Sequence, residues 1–119
     1  MTVVTKENIV LKKSIQFSLD IIRFCEALEK EKKFVIARQL LKSGTSIGAN
    51  LHEAQNAESK SDFIHKVKIA AKEIEETKYW ITLCKAAESY PFNKELENQI
   101  NEIRLIVYKI LSSSKSKKN

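Results

Sequence analysis

Two histidines, two cysteines and several serines are the residues of this sequence best suited to covalent chemistry. A hydrolase needs a nucleophile, a general base and a group that orients the base. At about 100° per helical residue, His52 falls on the outer side of its predicted helix, and Cys25 and Cys84 lie in apolar helical patterns away from it. Ser46 has no histidine on its face of the helix. The sequence therefore predicts a protein that is not an enzyme.

Metal and cofactor sites are not expected either. A di-metal carboxylate site in a helix bundle needs Glu-x-x-His on two helices and a Glu from each of the other two. The sequence contains one acid-x-x-His, from Asp62 to His65. It has no CxxC motif for zinc, and its only two glycines, Gly44 and Gly48, cannot form a phosphate-binding loop. We expect no metal and no cofactor.

A stripe of short polar side chains on the second predicted helix is not required by bundle packing. Its spacing alternates between three and four residues, which draws a nearly straight line along one edge of a helix. The stripe consists of Gln39, Ser43, Ser46, Asn50 and Glu53. Lys and Glu would suit a merely solvated face better, because they favour helix more than Ser and Asn do. A solvated helix edge and a buried polar seam, within the bundle or between subunits, are the two interpretations.

The third predicted helix carries a matching set in a comparable flanking position: Glu73, Glu76, Thr77 and Trp80. We refer to these residues and the stripe together as the polar seam. We interpret the carboxylates as hydrogen-bonding partners of Ser, Thr or Lys rather than as metal ligands. Trp80 lies on an apolar stripe and is expected to pack. Tyr79 points outward and is the better candidate for stacking on a base.

Lysine and arginine are the residues through which this chain could hold a nucleic acid. The chain has 21 of them against 15 acidic residues, a net charge of +6, and half of that excess lies in the last five residues. The candidate nucleic-acid-binding residues are Arg38, Lys42, Lys60, Lys68, Lys72, Lys115, Lys117 and Lys118. Arg38 and Lys42 are one helical turn apart, and Lys68 and Lys72 repeat that spacing. Because acidic residues interleave with these lysines, a solvated surface is the alternative.

Four segments of helical periodicity must position these groups. They are predicted at roughly 9–32, 34–57, 59–90 and 93–111. Short connections between long helices imply an all-α, antiparallel up-down-up-down four-helix bundle. Two Gly and one Pro are too few for the turns of an all-β fold. We expect a flexible N-terminus at 1–8, the bundle domain at 9–111 and a basic disordered tail at 112–119.

The two glycines fall in the middle of the second helix, where each costs about 1 kcal/mol relative to Ala. We expect a neighbouring helix to approach closely there, by analogy with small-residue contacts in membranes.

Two helices have more apolar surface than the core of a bundle needs. On the first helix, Ile15, Leu19 and Ile22 widen the apolar arc to more than half of the circumference, well beyond a core stripe. On the third, Leu83 and Ala87 belong to a second stripe about 110° from the core positions. The surplus predicts self-association.

No apolar run is long enough to span a membrane, and the N-terminus lacks the basic-then-apolar layout of a signal peptide. We therefore expect a cytoplasmic protein without a membrane partner.

Two stretches of the sequence resemble the "four helix bundle protein" family, first noticed as proteins encoded in intervening sequences of bacterial 23S ribosomal RNA genes. The family pattern reads approximately Q-L-x-R-S-x-x-S-I-x-x-N-I-x-E-A, then S-x-x-D-F, then K-E-x-x-E-T-x-Y-W. The matching residues are Gln39, Leu40, Ser43, Ser46, Ile47, Asn50, Glu53, Ala54, Ser59, Asp62, Phe63, Lys72, Glu73, Glu76, Thr77, Tyr79 and Trp80. Lys42 stands where the family usually has Arg, and Leu51 where it usually has Ile.

The resemblance implies a four-helix bundle that assembles as a ring, commonly a homopentamer. It also implies kinship with the variability-determinant accessory proteins of retroelements, basic pentamers thought to bind nucleic acid and a reverse transcriptase. We therefore expect a non-enzymatic homo-oligomer that binds RNA or DNA through a basic surface. The alternative is a protein-interaction scaffold ring, with a partner such as a reverse transcriptase and no direct contact with nucleic acid.

Overall fold

A computed structural model describes residues 6–116 as four α-helices joined by short connections. They are α1 (Lys6–Lys30), α2 (Phe34–Ala54), α3 (Lys60–Ala86) and α4 (Lys94–Ser116). Each helix packs against two others: α1 contacts α2 and α4, and α3 contacts the same two helices. Over the described range, none of the helices is long and apolar enough to cross a membrane.

Two predicted helix starts are confirmed by their caps. The Ser59 hydroxyl accepts a hydrogen bond from the backbone N–H of Asp62 at 3.0 Å, which satisfies one of the free donors in the first turn of α3. The Asn93 side chain accepts from the backbone N–H of Glu95 at 2.9 Å, directly before α4. In this chain, a short polar side chain directly before an apolar helical pattern correctly marked the start of α3 and of α4.

The outer ends of the chain differ from the expected boundaries. α1 begins at Lys6, inside the segment 1–8 that we expected to be flexible, and α4 continues to Ser116, inside the expected tail at 112–119. The core explains both extensions, since buried Val10 anchors the first turns of α1, and buried Ile110 and Leu111 anchor the end of α4. Residues 1–5 and 117–119, with the candidates Lys117 and Lys118, lie outside the described residues.

The core consists of the apolar stripe of every helix. Side chains with almost no solvent exposure include Phe17, Ile21, Leu28, Leu40, Ile47, Ile74, Leu96, Ile100, Ile103 and Val107. Full burial of a large apolar side chain contributes about 1.5–3 kcal/mol relative to leaving it exposed. These side chains carry most of the driving force for packing, and the polar groups described below select among the possible packings.

The close helix approach expected at the two glycines is present between α1 and α2. A Cβ atom at Gly44 would lie 3.0–3.3 Å from three side-chain carbons of Ile21, and one at Gly48 would lie 3.1 Å from the Ser14 hydroxyl oxygen. Both partners belong to α1 and are buried. A larger residue at either position would therefore push the two helices apart or displace a packed side chain.

We expect Gly44→Ala to lower the free energy of unfolding by about 1 kcal/mol, because overpacking against Ile21 outweighs the better helix propensity of Ala. Urea unfolding followed by circular dichroism measures the change. The control compares Ile21→Ala with the double variant Ile21→Ala/Gly44→Ala. The double variant should be the more stable of the two, because the new methyl group at position 44 then no longer meets the Ile21 side chain. A Gly44→Ala protein more stable than the wild type would contradict the close-packing argument.

Candidate functional site

A buried pair of hydroxyl groups forms the centre of the polar seam. Ser43 on α2 and Thr77 on α3 are both 0% exposed, and their hydroxyl oxygens lie 2.9 Å apart. The Thr77 oxygen also lies 2.7 Å from the backbone carbonyl oxygen of Glu73. A hydroxyl has one proton and a carbonyl only accepts, so Thr77 donates to Glu73 and Ser43 donates to Thr77. At Ser43 and Thr77 the polar seam is therefore buried in the protein, and both hydroxyl donors have an acceptor.

The rest of the α2 stripe behaves differently from Ser43. The Ser46 hydroxyl donates to the backbone carbonyl of Lys42 at 2.6 Å, and the Asn50 side-chain amide donates to the carbonyl of Ser46 at 2.8 Å. These two side chains are half-buried and bond to their own helix. Glu53 is exposed and reaches α3, where it forms a 3.0 Å ion pair with Lys66. The seam therefore bridges the two helices at two levels.

The α3 side of the seam is polar at its rim. The Trp80 indole N–H donates to a Glu76 carboxylate oxygen at 3.1 Å, which holds the half-buried ring with its polar edge satisfied. Burial, and next the charge of Glu76, raise the pKa of Glu73 above its ordinary value. Gln39 is half-buried on the α2 side. Nothing in this arrangement resembles a ligand-binding pocket, and its contacts are those of helix packing.

The candidate cations of α2 and α3 are accessible to a partner. All five are exposed, and none forms an ion pair within residues 6–116: Arg38, Lys42, Lys60, Lys68 and Lys72. By contrast, Lys66 pairs with Glu53, and Lys78 donates to the Asn101 side chain at 2.7 Å. We call these five residues the basic face. Its charges remain available to a partner.

The structure brings one basic residue of each helix close to the same carboxylate. Lys42 on α2 and Lys72 on α3 both oppose the rise in the pKa of Glu73, so both lie near it. Two interleaving acids have other partners: Glu75 pairs with Arg104 of α4 at 2.8 Å, and Asp62 accepts a hydrogen bond from the backbone N–H of Glu58 at 3.2 Å. Glu73 is the acid that lies among the cations of the basic face.

The tail candidates are separate from this face. Lys115 lies in the last turn of α4, and the other two are beyond the described residues.

Two apolar surfaces are exposed on different sides of α2. The first, which we call the ridge, consists of Ile15, Leu19, Ile22 and Leu41, each 40–51% exposed. The second, the end groove, is lined by Ile36, Leu83, Ala86, Ala87 and Tyr90. Ile36 and Leu41 are five residues apart on α2, which separates them by about 140° around the helix. The ridge and the end groove are therefore distinct surfaces.

The two cysteine thiols are poorly suited to nucleophilic chemistry. Burial raises the pKa of Cys25 to about 12, helped by the charges of Glu29 and Cys84, and burial raises the pKa of Cys84 to about 11. Both thiols are therefore protonated at neutral pH, and the thiol is a poor nucleophile. His52 and His65 are exposed. Within residues 6–116, no group of three or more His, Cys, Asp or Glu side chains converges as a metal site would require.

Several exposed apolar side chains were missed by the sequence reasoning, among them Val35, which is 69% exposed. Leu105 on α4 is 60% exposed, and it lies off the core stripe of that helix. The only signal in the sequence was its position between the core residues Ile103 and Val107, and single exposed leucines are common enough to carry no prediction by themselves.

Comparisons with known proteins bear on this arrangement. The family model described as 23S rRNA-intervening sequence protein matches residues 6–109 of the chain. The chain is also similar to a protein of unknown function from the S23 ribosomal protein family of Bacteroides thetaiotaomicron, whose crystal structure is known. The two share 41% sequence identity, and the TM-score between their structures is 0.84. The match covers 91% of this chain and 99% of that one. No functionally curated protein matches the sequence.

We expect Thr77→Val to lower the free energy of unfolding by about 1–3 kcal/mol, because it removes the acceptor of the buried Ser43 hydroxyl. The double variant Ser43→Ala/Thr77→Val should recover most of that loss, since no unpaired polar group then remains. Thermal and urea unfolding of the two single variants and the double variant measure the coupling. Additive losses would mean that the two hydroxyls act independently.

Proposed function

Because this chain belongs to the 23S rRNA-intervening sequence protein family, we propose that it is a non-enzymatic homo-oligomer that binds RNA or DNA through the basic face. The observation that carries the proposal is the set of five exposed cations on α2 and α3 without ion pairs among the described residues. Phosphate groups are suitable partners for such cations, and each contact adds affinity by releasing a counterion from the nucleic acid.

The proposed assembly is an up-down-up-down bundle that closes into a ring, and the number five comes from the family resemblance. Ser43 bonds to Thr77, and the later residue Glu53 pairs with the earlier residue Lys66. This order indicates that α2 and α3 run in opposite directions. Two different apolar surfaces on one subunit favour head-to-tail contacts, which close into rings. We therefore place the ridge of one copy in the end groove of the next. A pentamer of this chain would carry +30 around one ring.

Absence of enzymatic activity and a cytoplasmic location are parts of the same proposal. Both cysteines are free and buried, with pKa values raised far above neutral pH by burial. A pair of free thiols suits a reducing compartment.

A protein-interaction scaffold is the second candidate, and exposed apolar side chains outside the ridge and the end groove favour it, namely Val35 at 69% and Leu105 at 60%. Leu105 lies on α4, whereas the ridge and the end groove are built from α1, α2, α3 and the segment after α3, so it would stay accessible in the proposed ring. Kinship with retroelement accessory proteins would make a reverse transcriptase one such partner. In that case the ring would form, but the basic face would not bind nucleic acid by itself.

Mixing two interface variants tests the ring. Leu19→Asp on the ridge and Leu83→Asp in the end groove should each give monomers by light scattering, because each places a charge in an apolar contact. An equimolar mixture should give dimers, since each pair then retains one intact ridge and one intact groove. Leu105→Asp is the control and should keep the mass of the wild type. A wild-type monomer at micromolar concentration would exclude the ring.

Salt titrations test the basic face. Lys42→Gln/Lys72→Gln should weaken binding to RNA or DNA and reduce the slope of log K against log salt by about 1.4–1.8 for each subunit that contacts the nucleic acid, the effect of two lost phosphate contacts. Fluorescence anisotropy with a labelled oligonucleotide gives both quantities. The matched control, Lys66→Gln/Lys78→Gln, removes the same charge from lysines that are already engaged and should change the slope less. If the wild type binds without salt dependence, or not at all, the basic face is not a nucleic-acid site.

A further inference from the structure

An exposed tyrosine extends the basic face along α3. Tyr79 is 56% exposed. Lys68, Lys72 and Tyr79 are spaced by four and seven residues, so all three lie within about 40° on one side of the helix. At a rise of about 1.5 Å per residue, Lys72 precedes the tyrosine by about 10 Å along the axis and Lys68 by about 16 Å. One side of α3 therefore combines two cations without ion pairs and an accessible aromatic ring, and Glu75 between them is paired with Arg104 at 2.8 Å.

Neighbouring groups hold this ring in place. Its centroid lies 5.1 Å from that of the Trp80 ring, at an interplanar angle of 67°, the edge-to-face contact that aromatic pairs prefer. Trp80 is itself half-buried and donates its indole N–H to Glu76. Because the tyrosine packs against a restrained neighbour, it loses little freedom when a ligand covers it.

The other two tyrosines of the chain already have a cation on the ring. The Lys33 ammonium lies 4.9 Å from the centre of the Tyr90 ring, and the Arg104 guanidinium lies 4.8 Å from that of Tyr108. The Tyr108 hydroxyl also donates to Glu75 at 3.3 Å. Tyr79 has no such cation among the described residues, so its exposed π-surface is available to an external partner.

We propose that the nucleic acid bound at the basic face is single-stranded, with one base stacked on Tyr79 and the backbone phosphates held by Lys68 and Lys72. This inference rests on the proposed function and names the class of ligand. An unpaired base has a free π-face for an aromatic side chain, whereas the bases of a duplex are already stacked on one another. Lysines contact the phosphates of either form, so the tyrosine is the group that discriminates between them.

Trp80 provides a local readout of stacking, since it is the only tryptophan of the chain and touches the Tyr79 ring. The probe is an unlabelled 20-nucleotide strand of mixed sequence, alone or annealed to its complement, at one fixed salt concentration. The single strand should bind more tightly than the duplex and change the Trp80 fluorescence. The duplex should bind through phosphates alone and leave the fluorescence nearly unchanged.

Tyr79→Ala should weaken binding of the single strand by about 5- to 150-fold, the range for loss of one stacked base, and leave duplex affinity unchanged. Tyr79→Phe keeps the ring and should bind like the wild type, and circular dichroism melting checks that both variants remain folded. Equal affinity for the two forms, or an unchanged single-strand affinity in Tyr79→Ala, would overturn the inference. If binding is still salt-dependent in that case, the proposed function survives. Absence of binding to either form would overturn both.

Discussion

The contact between α2 and α3 at Ser43 and Thr77 sets the geometry on which the other features depend. Thr77 donates to a carbonyl of its own helix, whereas the buried Ser43 hydroxyl donates across to Thr77 and therefore depends on the alignment of the two helices. A shift of either helix by one turn, about 5.4 Å, would separate the two hydroxyls. The same alignment brings Lys42 and Lys72 near Glu73 and lets Glu53 reach Lys66. The position of the basic face thus depends on the register between α2 and α3.

α2 performs two kinds of packing on its two sides. Toward α1 it presents Gly44 and Gly48, and the absence of side chains there lets Ile21 and Ser14 approach. Toward α3 it presents a hydroxyl. Close apolar contact contributes dispersion and burial, whereas the hydroxyl pair contributes little net stability and excludes other registers. The apolar ridge and end groove lie beyond these two contacts, so self-association would extend packing that α2 already organises.

Several elements of the fold were predictable because they depend on local chemistry. The four helices, the caps at Ser59 and Asn93 and the close approach at the glycines follow from periodicity and from the limited ways of satisfying a helix end. The outer helix ends were not predictable from the same rules. The serines near the end of α4 looked like the start of a tail, but Ile110 and Leu111 are held by the core and the helix continues past them. Tertiary anchoring outweighed the weak local preference.

The amino-acid sequence by itself determined which residues share a helix face, because the helical repeat is a property of the backbone. It could not separate Ser43 from Ser46 or Asn50, because all three occupy the same stripe. Ser43 bonds across to α3, whereas Ser46 and Asn50 bond back to their own helix. It also could not tell which lysines are free, since Lys66 and Lys72 read alike until α2 and α3 are packed together. Only the tertiary structure decided these points. Burial and pairing depend on what a neighbouring helix brings within a few ångströms, and that neighbour is distant in the chain.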